Sequence, residues 1–529
     1  MNKFSKENNC KSNKIINYLI YGLIIISIVH LIWYIFIGSK GLMNSDSSFI
    51  VDYSLEQINS HSFFPKNWVN INDFWVYSLI PLMTVFIKFG FSLFFSRQLS
   101  VFIQTFLMFA IIFNLFNKQL DLKNGLKVVL LLLLSGVSGQ FFFEIFGDAT
   151  YGSIVFYIVL EIWLFVRYLN NNKKINLVFF LLILILLTSC SLRFPIYIGA
   201  PFICYLAYMF YNDPKNKRFI YIALSIVFSL ACGYMLNKYL SSHLILRTAT
   251  TNNIVSNAEN LSNAIHNSFF NYLWICGATN INVYSLTHTW YNNYITSTSP
   301  FILIIFIKFL YSIFTLVMPF ILFKKFNKMN DKEKFIHIYC VSVFVLILFF
   351  LLFGGMWNWY RYITPVLFML NLLFPLYYKY FFSDKFKNII VFNLSIIIIS
   401  LSSLFLTFTS WYDLNTRKVV ENPNMGLVAF LEKNGLKYGY YNGLSESNVY
   451  RTISNDKIQI TRILGDIKLY YLNSTEWFTE KYYNKETFVI RYFDTEPQDY
   501  EKYAIKKLEY GDNLIFVFKT HSDLLKHLK

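Results

Sequence analysis

The sequence predicts an α-helical polytopic membrane protein of about eleven transmembrane helices, followed by a small C-terminal α/β domain outside the membrane. Of the 529 residues, 55% are hydrophobic and 15% are charged, whereas about 25% of a soluble protein is charged. Apolar runs close to the roughly 20 residues that cross a bilayer recur as far as residue 409, and the composition then changes. A soluble α/β protein would instead show shorter apolar runs between turn signals.

The apolar runs define the predicted spans. The first run, Ile15 to Ile37, is too long for the apolar part of a signal peptide and no A-x-A site follows it, so we expect an uncleaved anchor. The predicted spans cover residues 15–37, 98–117, 126–141, 153–169, 176–191, 195–211, 219–238, 300–323, 335–354, 362–380 and 388–409. The run from Phe74 to Phe95 is ambiguous, because it contains Pro81, Lys88 and Gly90.

The side of each loop depends on that ambiguous run. If the run crossed the membrane, the basic loops after it would lie outside, against the cytoplasmic bias of Lys and Arg. If it lies at the outer interface as a juxtamembrane helix, the basic loops are cytoplasmic. Their basic residues are Lys3, Lys6, Lys11, Lys14, Lys118, Lys123, Lys127, Lys173, Lys174, Lys215, Lys217, Arg218, Lys324, Lys325, Lys328, Lys332, Lys334, Lys379, Lys385 and Lys387. We therefore expect a cell-membrane protein with a cytoplasmic N-terminus and an extracytoplasmic C-terminal domain. The net charge of +17 is then a topology signal rather than a sign of nucleic-acid binding.

Two domains are predicted. Residues 1–409 form the transmembrane domain, with long outer loops at 38–97 and 239–299. Residues 410–529 form the α/β domain, because β-like runs alternate there with helical stretches. The β-like runs are Lys437–Tyr441, Lys457–Ile463, Thr487–Tyr492 and Asn513–Phe518, and the helical stretches are Met425–Asn434 and Ser522–Leu528. This domain has no nucleophile motif, and we interpret it as a lid or as a docking module for an acceptor.

The first outer loop contains three candidate acidic residues. Asp46 lies in NSDSSF, before a stretch that can form an interfacial helix. It is a candidate for chemistry, and the alternative is that it is only the N-cap of that helix. Asp52 and Glu56 are four residues apart and share a helix face. They are candidate substrate-binding residues, and the alternative is a solvated polar face.

The second outer loop, FFFEIFGDATYG, carries Glu144 and Asp148 between two spans. A carboxylate this close to the hydrocarbon is costly unless it has a role or a partner. Asp148 is therefore a candidate site residue, with Glu144 as its neighbour. The alternative is an interfacial loop carboxylate in water.

Two arginines near outer membrane boundaries are candidate anion ligands. Arg193, in CSLRFP, could snorkel to the interface or bind an anion. The segment GGMWNWYRYITP places Tyr360, Arg361 and Tyr362 at a boundary. An aromatic belt explains the tyrosines but not Arg361, because an outer cation opposes the positive-inside trend. A guanidinium there suits a phosphate or pyrophosphate.

Together these stretches resemble the GT-C superfamily, whose members are polytopic glycosyltransferases that use polyprenyl-phosphate-linked sugars. The similar stretches are NSDSSF, WVYSLIPLMTVFIKFG followed by SRQLS, FGDATYG and YRYITP. The tail run LVAFLEKNGLKYGYYNGL is similar to the outward domain of bacterial members. There are two departures from the family pattern: Ser47 follows Asp46 where a second acid is commoner, and no WWDYG-like motif occurs. The second departure argues against protein N-glycosylation.

The resemblance implies an inverting glycosyltransferase that acts on the outer face of the membrane. The phosphate of a lipid-linked sugar donor would lie near Arg361 and Arg193, with Tyr360 and Tyr362 beside it. Asp46 would accept the proton of an acceptor hydroxyl on a cell-surface glycan, lipid or polymer.

The resemblance leaves the use of a metal open. Asp148 would orient the acceptor or Asp46, or help to bind a divalent cation. Asp46, Glu144 and Asp148 offer hard oxygen ligands for Mg²⁺ or Mn²⁺, whereas several GT-C members need no metal. The predicted partners are therefore a lipid-linked donor, a surface acceptor and membrane lipid.

Three other functions stay open. A transporter or flippase of lipid-linked glycans usually carries ionisable residues at mid-membrane, often with inverted repeats, whereas the spans here are nearly free of charge, with Glu161 as an exception. An O-antigen polymerase or ligase is expected to use an arginine-rich outer loop, but the 239–299 loop offers only Arg247. A non-catalytic scaffold or receptor is the third.

Overall fold

The structure is a computed structural model and describes residues 2–71, 73–148, 150–247, 258–279, 299–354, 360–383, 386–443, 447–468, 472–479 and 486–528. Over these residues the chain is mostly helical, with a small sheet near the C-terminus. The predicted class, apolar helices of membrane-spanning length followed by a C-terminal sheet, is confirmed.

The membrane part contains seventeen described α-helices, several of them extended by tighter or wider turns. The first ten helices are α1 (Asn2–Trp33), α2 (Ser39–Gly41), α3 (Ser45–Ser60), α4 (Ile80–Lys88), α5 (Leu93–Asn114), α6 (Lys123–Ser135), α7 (Gly139–Phe142), α8 (Thr150–Asn171), α9 (Lys174–Cys190) and α10 (Ala200–Asn212). The next seven are α11 (Arg218–His243), α12 (Ala258–Ile275), α13 (Ser299–Ile321), α14 (Asp331–Phe353), α15 (Ile363–Asn371), α16 (Phe374–Tyr377) and α17 (Phe386–Thr409). π-Helical turns cover Tyr34–Gly38, Leu115–Gln119, Phe143–Gly147, Pro195–Gly199 and Tyr378–Phe382, and 3₁₀ turns cover Trp75–Tyr77, Leu322–Lys328 and Tyr360–Tyr362.

Eight helical segments among the described residues are long and apolar enough to cross a membrane. They are Lys14–Gly41, Leu93–Gln119, Thr150–Asn171, Arg218–His243, Ile302–Lys328, Asp331–Phe353, Ile363–Phe382 and Asn388–Thr409. A ninth is reached if α6 and the segment Gly139–Gly147, bent by 92°, form one broken span. The predicted count of about eleven is not confirmed, because α9 has 17 residues and α10 has 13.

The ambiguous run from Phe74 to Phe95 does not form a single long helix. It folds into the nine-residue α4, which rises about 14 Å, less than half of the hydrocarbon core. Gly90 then reverses the chain with a φ of +85°, a value that glycine adopts without strain. Ser92 caps the start of α5 by accepting a hydrogen bond from Phe95 N.

The C-terminal domain contains a six-stranded mixed sheet. Two short parallel strands, β1 (Val69–Ile71) and β2 (Ile245–Arg247), join the segment after α3 to the segment after α11, and β3 (Tyr412–Asp413) and β4 (Lys418–Val419) form a hairpin. The sheet has the order β7-β6-β5-β8-β10-β9. Its strands are β5 (Tyr438–Asn442), β6 (Gln459–Leu464), β7 (Ile467–Lys468), β8 (Thr487–Tyr492), β9 (Lys506–Tyr510) and β10 (Asn513–Phe518).

Helices complete this domain and its two small cores. They are α18 (Met425–Lys433), α19 (Ser447–Ile453) and α20 (His521–Leu525), with 3₁₀ turns at Thr475–Phe478 and Asp499–Tyr503. One core, around Ile460 and Ile490, is covered by α18 and α19. The other, around Tyr440 and Phe518, lies on the opposite sheet face with α20. The predicted strands therefore form one sheet with a buried layer on each side.

Candidate active site

Asp46 lies in the first turn of α3. Asn44 caps this helix: its Oδ1 accepts a hydrogen bond from Ser47 N, and Asn44 N donates to Ser47 Oγ, each over 2.9 Å. The alternative that Asp46 is only the N-cap is therefore wrong, because Asn44 occupies that position. The Asp46 side chain is 39% exposed and turns to a distant partner instead.

That partner is Arg361, in the 3₁₀ turn that leads into α15. Arg361 Nη1 donates to Asp46 Oδ2, although the two residues are 315 positions apart in the sequence. On its other side, Arg361 Nε lies 3.7 Å from Glu144 Oε1. One guanidinium thus bridges two carboxylates, one from α3 and one from the π-helical turn Phe143–Gly147.

A bend of 92° after α6 brings the segment that carries Glu144 to this position. Gly136 has a φ of +70°, and an added Cβ there would lie 2.5 Å from Phe142 Cδ2, so this turn requires glycine. The chain continues through α7 into the π-helical turn that carries Glu144. This side chain is fully buried, and its Oε1 accepts a hydrogen bond from Gln140 Nε2 over 2.7 Å.

Asp148 follows at the end of the bend and is 1% exposed. The alternative of an interfacial carboxylate in water is therefore wrong. Its Oδ1 accepts a hydrogen bond from Thr150 Oγ1 over 3.1 Å. Within the described part of the chain, Asp148 Oδ2 and Glu144 Oε2 accept no hydrogen bond. Burial raises the pKa of the Asp148 carboxyl, while Arg361 acts to lower it and the charge of Asp46 adds to the rise.

The charges around Asp46 keep it ionised. Loss of water would raise the pKa of its carboxyl, but Arg361 and, more weakly, Arg462 outweigh that effect. The pKa of Asp46 therefore lies below its ordinary value. An ionised carboxylate beside a partly open face is the state that a proton acceptor needs.

Arg97 holds the two acidic loops together, a role that the sequence did not predict. The side chain is 1% exposed, and its Nε donates to Ser47 O over 2.6 Å. Its Nη2 donates to Gly147 O and, over 3.4 Å, to Asp148 O. The first turn of α3 and the end of the bend are therefore fixed to one guanidinium. The sequence did contain a signal for this role, because Arg97, like Arg361, is a cation at the end of a predicted span.

Arg193 is placed beside another carboxylate. Its Nε lies 3.0 Å from Asp73 Oδ2, and both side chains are largely buried. The guanidinium lies 5.5 Å from the ring centre of Trp75 and 5.3 Å from that of Tyr362, within reach of a cation–π attraction. Tyr362 O also accepts a hydrogen bond from Tyr197 Oη over 3.2 Å. Binding of the donor phosphate by Arg193 stays a prediction. Asp73 would compete with the phosphate for the Arg193 guanidinium.

Asp52 and Glu56 face the C-terminal domain. Asp52 Oδ1 lies 3.2 Å from Arg451 Nη1 of α19. Burial raises the pKa of Asp52 to about 7, against the opposing charge of Arg451. Burial also raises the pKa of Glu56, and a hydrogen bond with Ser474 opposes the rise. The alternative of a solvated face is wrong for Asp52, which is 8% exposed.

The C-terminal domain reaches the first turn of α3 through Arg462, which the sequence also did not single out. Arg462 lies on β6 and is 3% exposed. Its Nη2 donates to Ser45 Oγ over 2.7 Å. The side chain of Tyr360, a predicted substrate-binding residue, lies outside the described residues.

The predicted metal ligands do not form a metal site. Asp46, Glu144 and Asp148 do surround one position, but Arg361 fills it. Across the residues that the structure describes, no group of three or more His, Cys, Asp or Glu side chains is arranged to hold a metal ion.

An apolar cavity of about 420 Å³ opens between α12, α13, α14 and α15. Its walls are almost entirely hydrocarbon, with Ser268 and Tyr272 as the polar lining residues. Ile363 and Val366 belong to the lining and lie two and five positions after Arg361 in the chain. The guanidinium therefore lies at the head of the helix that forms one wall.

Comparisons with protein-family models and with curated proteins give no match to this chain.

Proposed function

We propose that this chain is a membrane glycosyltransferase that moves a sugar from a polyprenyl-phosphate donor to a hydroxyl group of a surface glycan, lipid or polymer. The observation that carries the proposal is the convergence of Asp46, Glu144, Asp148 and Arg361. These residues come from two outer loops and from the start of α15. They combine a proton acceptor with an anion-binding cation at one partly exposed point.

The chemistry needs one base and one phosphate ligand. Asp46 accepts the proton of the acceptor hydroxyl as that oxygen forms a bond to the anomeric carbon. The bond from the anomeric carbon to the phosphate oxygen breaks, and the phosphate leaves with the electron pair beside Arg361. Such a direct displacement inverts the anomeric centre. General-base help typically contributes about 10²–10⁴-fold, and the guanidinium stabilises the leaving charge.

The resting ion pair between Asp46 and Arg361 fits this scheme. A donor phosphate would draw Arg361 away from Asp46, because phosphate and carboxylate compete for the same donors. The Asp46 carboxylate then becomes available to the acceptor only when the donor is in place. Donor binding thus activates Asp46 as the general base.

The apolar cavity supplies a place for the donor's tail. Its lining begins two residues after Arg361, at Ile363, so a lipid lying along α15 keeps its phosphate near the guanidinium. The tail enters from lipid rather than from water, so van der Waals packing against the cavity walls holds it there. Several isoprene units in the cavity would therefore anchor the donor.

The proposal includes the predicted topology of about eleven crossings with the site on the extracytoplasmic face. The shortness of α4 supports it, because a juxtamembrane helix there keeps the basic loops on the cytoplasmic side. The N-terminus is then cytoplasmic, and the C-terminal domain covers the site from outside.

The decisive experiment is the Asp46→Asn variant. Purified in detergent and supplied with polyprenyl-phosphate sugars and a cell-envelope acceptor fraction, it should lose sugar transfer by at least about 10²-fold, with unchanged expression. Asp494→Asn, an exposed carboxylate of the same outward side, is the matched control and should keep full activity. Full activity of Asp46→Asn would exclude Asp46 as the base.

Transport of lipid-linked glycans is the second candidate, favoured by two charged residues buried within the spans. Glu161 on α8 and Lys308 on α13 are fully buried, and ionisable groups at such depth often serve transport. Transfer in detergent, where no gradient or sidedness exists, separates the two functions. A protein that moves the glycan across vesicles but forms no new glycosidic bond would be a transporter.

A further inference from the structure

The C-terminal domain presents one arginine to the candidate site from a fixed position in its sheet. Arg462 on β6 pairs with Tyr441 on β5, which pairs with Ile490 on β8. Residues paired across neighbouring strands share a sheet face, so Arg462 lies on the face that α18 and α19 cover. Its Nη2 donates to Ser45 Oγ over 2.7 Å, one residue before Asp46.

Contacts from the domain hold that arginine against α3. Arg451 of α19 pairs with Asp52, one and a half turns beyond Asp46 on α3. Asn422 Nδ2 donates to Met43 O over 2.8 Å, just before the helix begins. Asn455 Oδ1 accepts a hydrogen bond from Leu93 N over 2.8 Å, at the start of α5. The C-terminal domain therefore contacts the chain both before and after Ser45, and these contacts fix the position of Arg462.

The charges facing Asp46 explain why such a cation is needed. Carboxylates surround it at Glu144 and Asp148, and the cations are Arg361 from the turn before α15, Arg97 from α5 and Arg462 from β6. Arg97 is committed to the backbone oxygens of Ser47 and Gly147. Once a phosphate takes Arg361, Arg462 stays beside the first turn of α3 and is the cation that contacts it through a side chain, at Ser45 Oγ.

We infer that the C-terminal domain is part of the active site, because it supplies Arg462 as a positioning residue for Ser45 and the Asp46 carboxylate. This inference rests on the proposed glycosyltransferase function. Arg462 holds the first turn of α3 and balances the charge of Asp46 while Arg361 binds the donor phosphate. The domain thus contributes to turnover and is more than a cover.

The test separates turnover from donor binding. Arg462→Met should lower kcat for transfer from a polyprenyl-phosphate sugar by roughly 10- to 100-fold, because a displaced catalytic group costs that much. The donor KM should change less than about twofold, because Arg361 still binds the phosphate. Arg462→Lys, which keeps the charge, should recover most of the kcat.

Arg491→Met is the matched control. Arg491 is a buried arginine of the same sheet that pairs with Glu501, but it pairs in register with Asn442 and so lies on the opposite face. The Arg491→Met variant should therefore have the kcat of the wild-type protein. Equal loss in both variants, or full kcat in Arg462→Met, would overturn the inference.

Hydrogen exchange over residues 45–53 gives a readout that needs no activity. Arg462→Met should speed exchange in this segment and Arg491→Met should not. If the wild-type protein transfers no sugar while this difference is seen, the proposed function fails and the contact between the domain and α3 stands. If the exchange rates match those of the wild type, Arg462 does not position α3.

Discussion

At the scale of single residues, the site depends on an arginine that is shared between two carboxylates. Arg361 contacts both Asp46 and Glu144, and its side chain is 23% exposed. A partly exposed guanidinium between two acids can exchange one of them for an incoming phosphate. A fully buried guanidinium, such as that of Arg97, has a structural role instead.

Replacing Arg361 tests its part in donor binding. We expect Arg361→Ala to lower kcat/KM for the donor by about 10- to 100-fold, because a hydrogen bond to a charged group contributes about 1.5–3 kcal/mol. The acceptor KM should change little. Steady-state kinetics with each substrate varied in turn measures both values.

The control for that variant is Arg417→Ala. Arg417 is an exposed arginine of the hairpin between β3 and β4, and its loss should leave both substrates unaffected. Equal effects of Arg361→Ala on donor and acceptor would contradict a phosphate-binding role.

The residues predicted from the sequence were those that break a local rule. Arg361 opposes the positive-inside trend, and Asp148 lies at the end of an apolar run, so each drew notice without a structure. Arg462 breaks no local rule, and its partner Ser45 lies 417 positions away. Arg193 was noticed, but its partner Asp73 was not, because only the fold shows which carboxylate reaches it.

At the scale of helices, length and apolar composition predicted most of the spans, because a run of about 20 apolar residues is stable in few environments other than a bilayer. The bend between α6 and Gly139–Gly147 escaped prediction. Its apolar run looks continuous in sequence, and the 92° bend contains the positive φ of Gly136. The cavity between α12 and α15 could not be predicted either, because it depends on how four helices pack.

A bulky residue in that cavity tests its proposed occupant. Leu348 on α14 lines the cavity and is 37% exposed, so Leu348→Trp can enter it without disturbing the core. Filling the cavity removes the packing contacts of the tail, so the KM of a long-chain donor should rise several-fold. A short-chain donor should keep its KM.

Val345→Trp provides the comparison, because Val345 lies on the same helix, is 49% exposed and is not among the cavity-lining residues. It should leave the KM of both donors unchanged. Equal loss for short- and long-chain donors in Leu348→Trp would mean that the cavity does not hold the lipid tail.

At the scale of the whole molecule, the C-terminal domain and the segment between α3 and α4 form one continuous structure. Val69 N donates to Asn473 O over 3.0 Å, and Leu472 N donates to Val69 O over 2.9 Å. Asn67 Nδ2 donates to Glu476 Oε1 over 2.6 Å. The composition change near Ser410 predicted a separate domain, but the first two of these contacts join backbone groups, which carry no sequence signal.

The ion pair between Asp52 and Arg451 gives this docking a dependence on pH. Burial raises the pKa of Asp52 to about 7 in the folded protein, well above the roughly 3.9 of an unfolded chain. The folded state therefore binds the proton more tightly, so this contribution to stability is complete below pH 3.9 and is lost as the pH rises through 7. The slope for one proton is at most about 1.4 kcal/mol per pH unit.

We expect the melting temperature of the wild-type protein in detergent to fall between pH 5 and pH 8 more steeply than that of Asp52→Asn, whose side chain does not titrate. Asp494→Asn is the control, because Asp494 is an exposed carboxylate and is not among the charges that act on Asp52, so it should keep the wild-type slope. Identical slopes for the wild type and Asp52→Asn would show that Asp52 stays ionised at this interface. A pH-dependent domain contact would then require another group, and Glu56, whose pKa burial also raises, is the next carboxylate along α3 to replace.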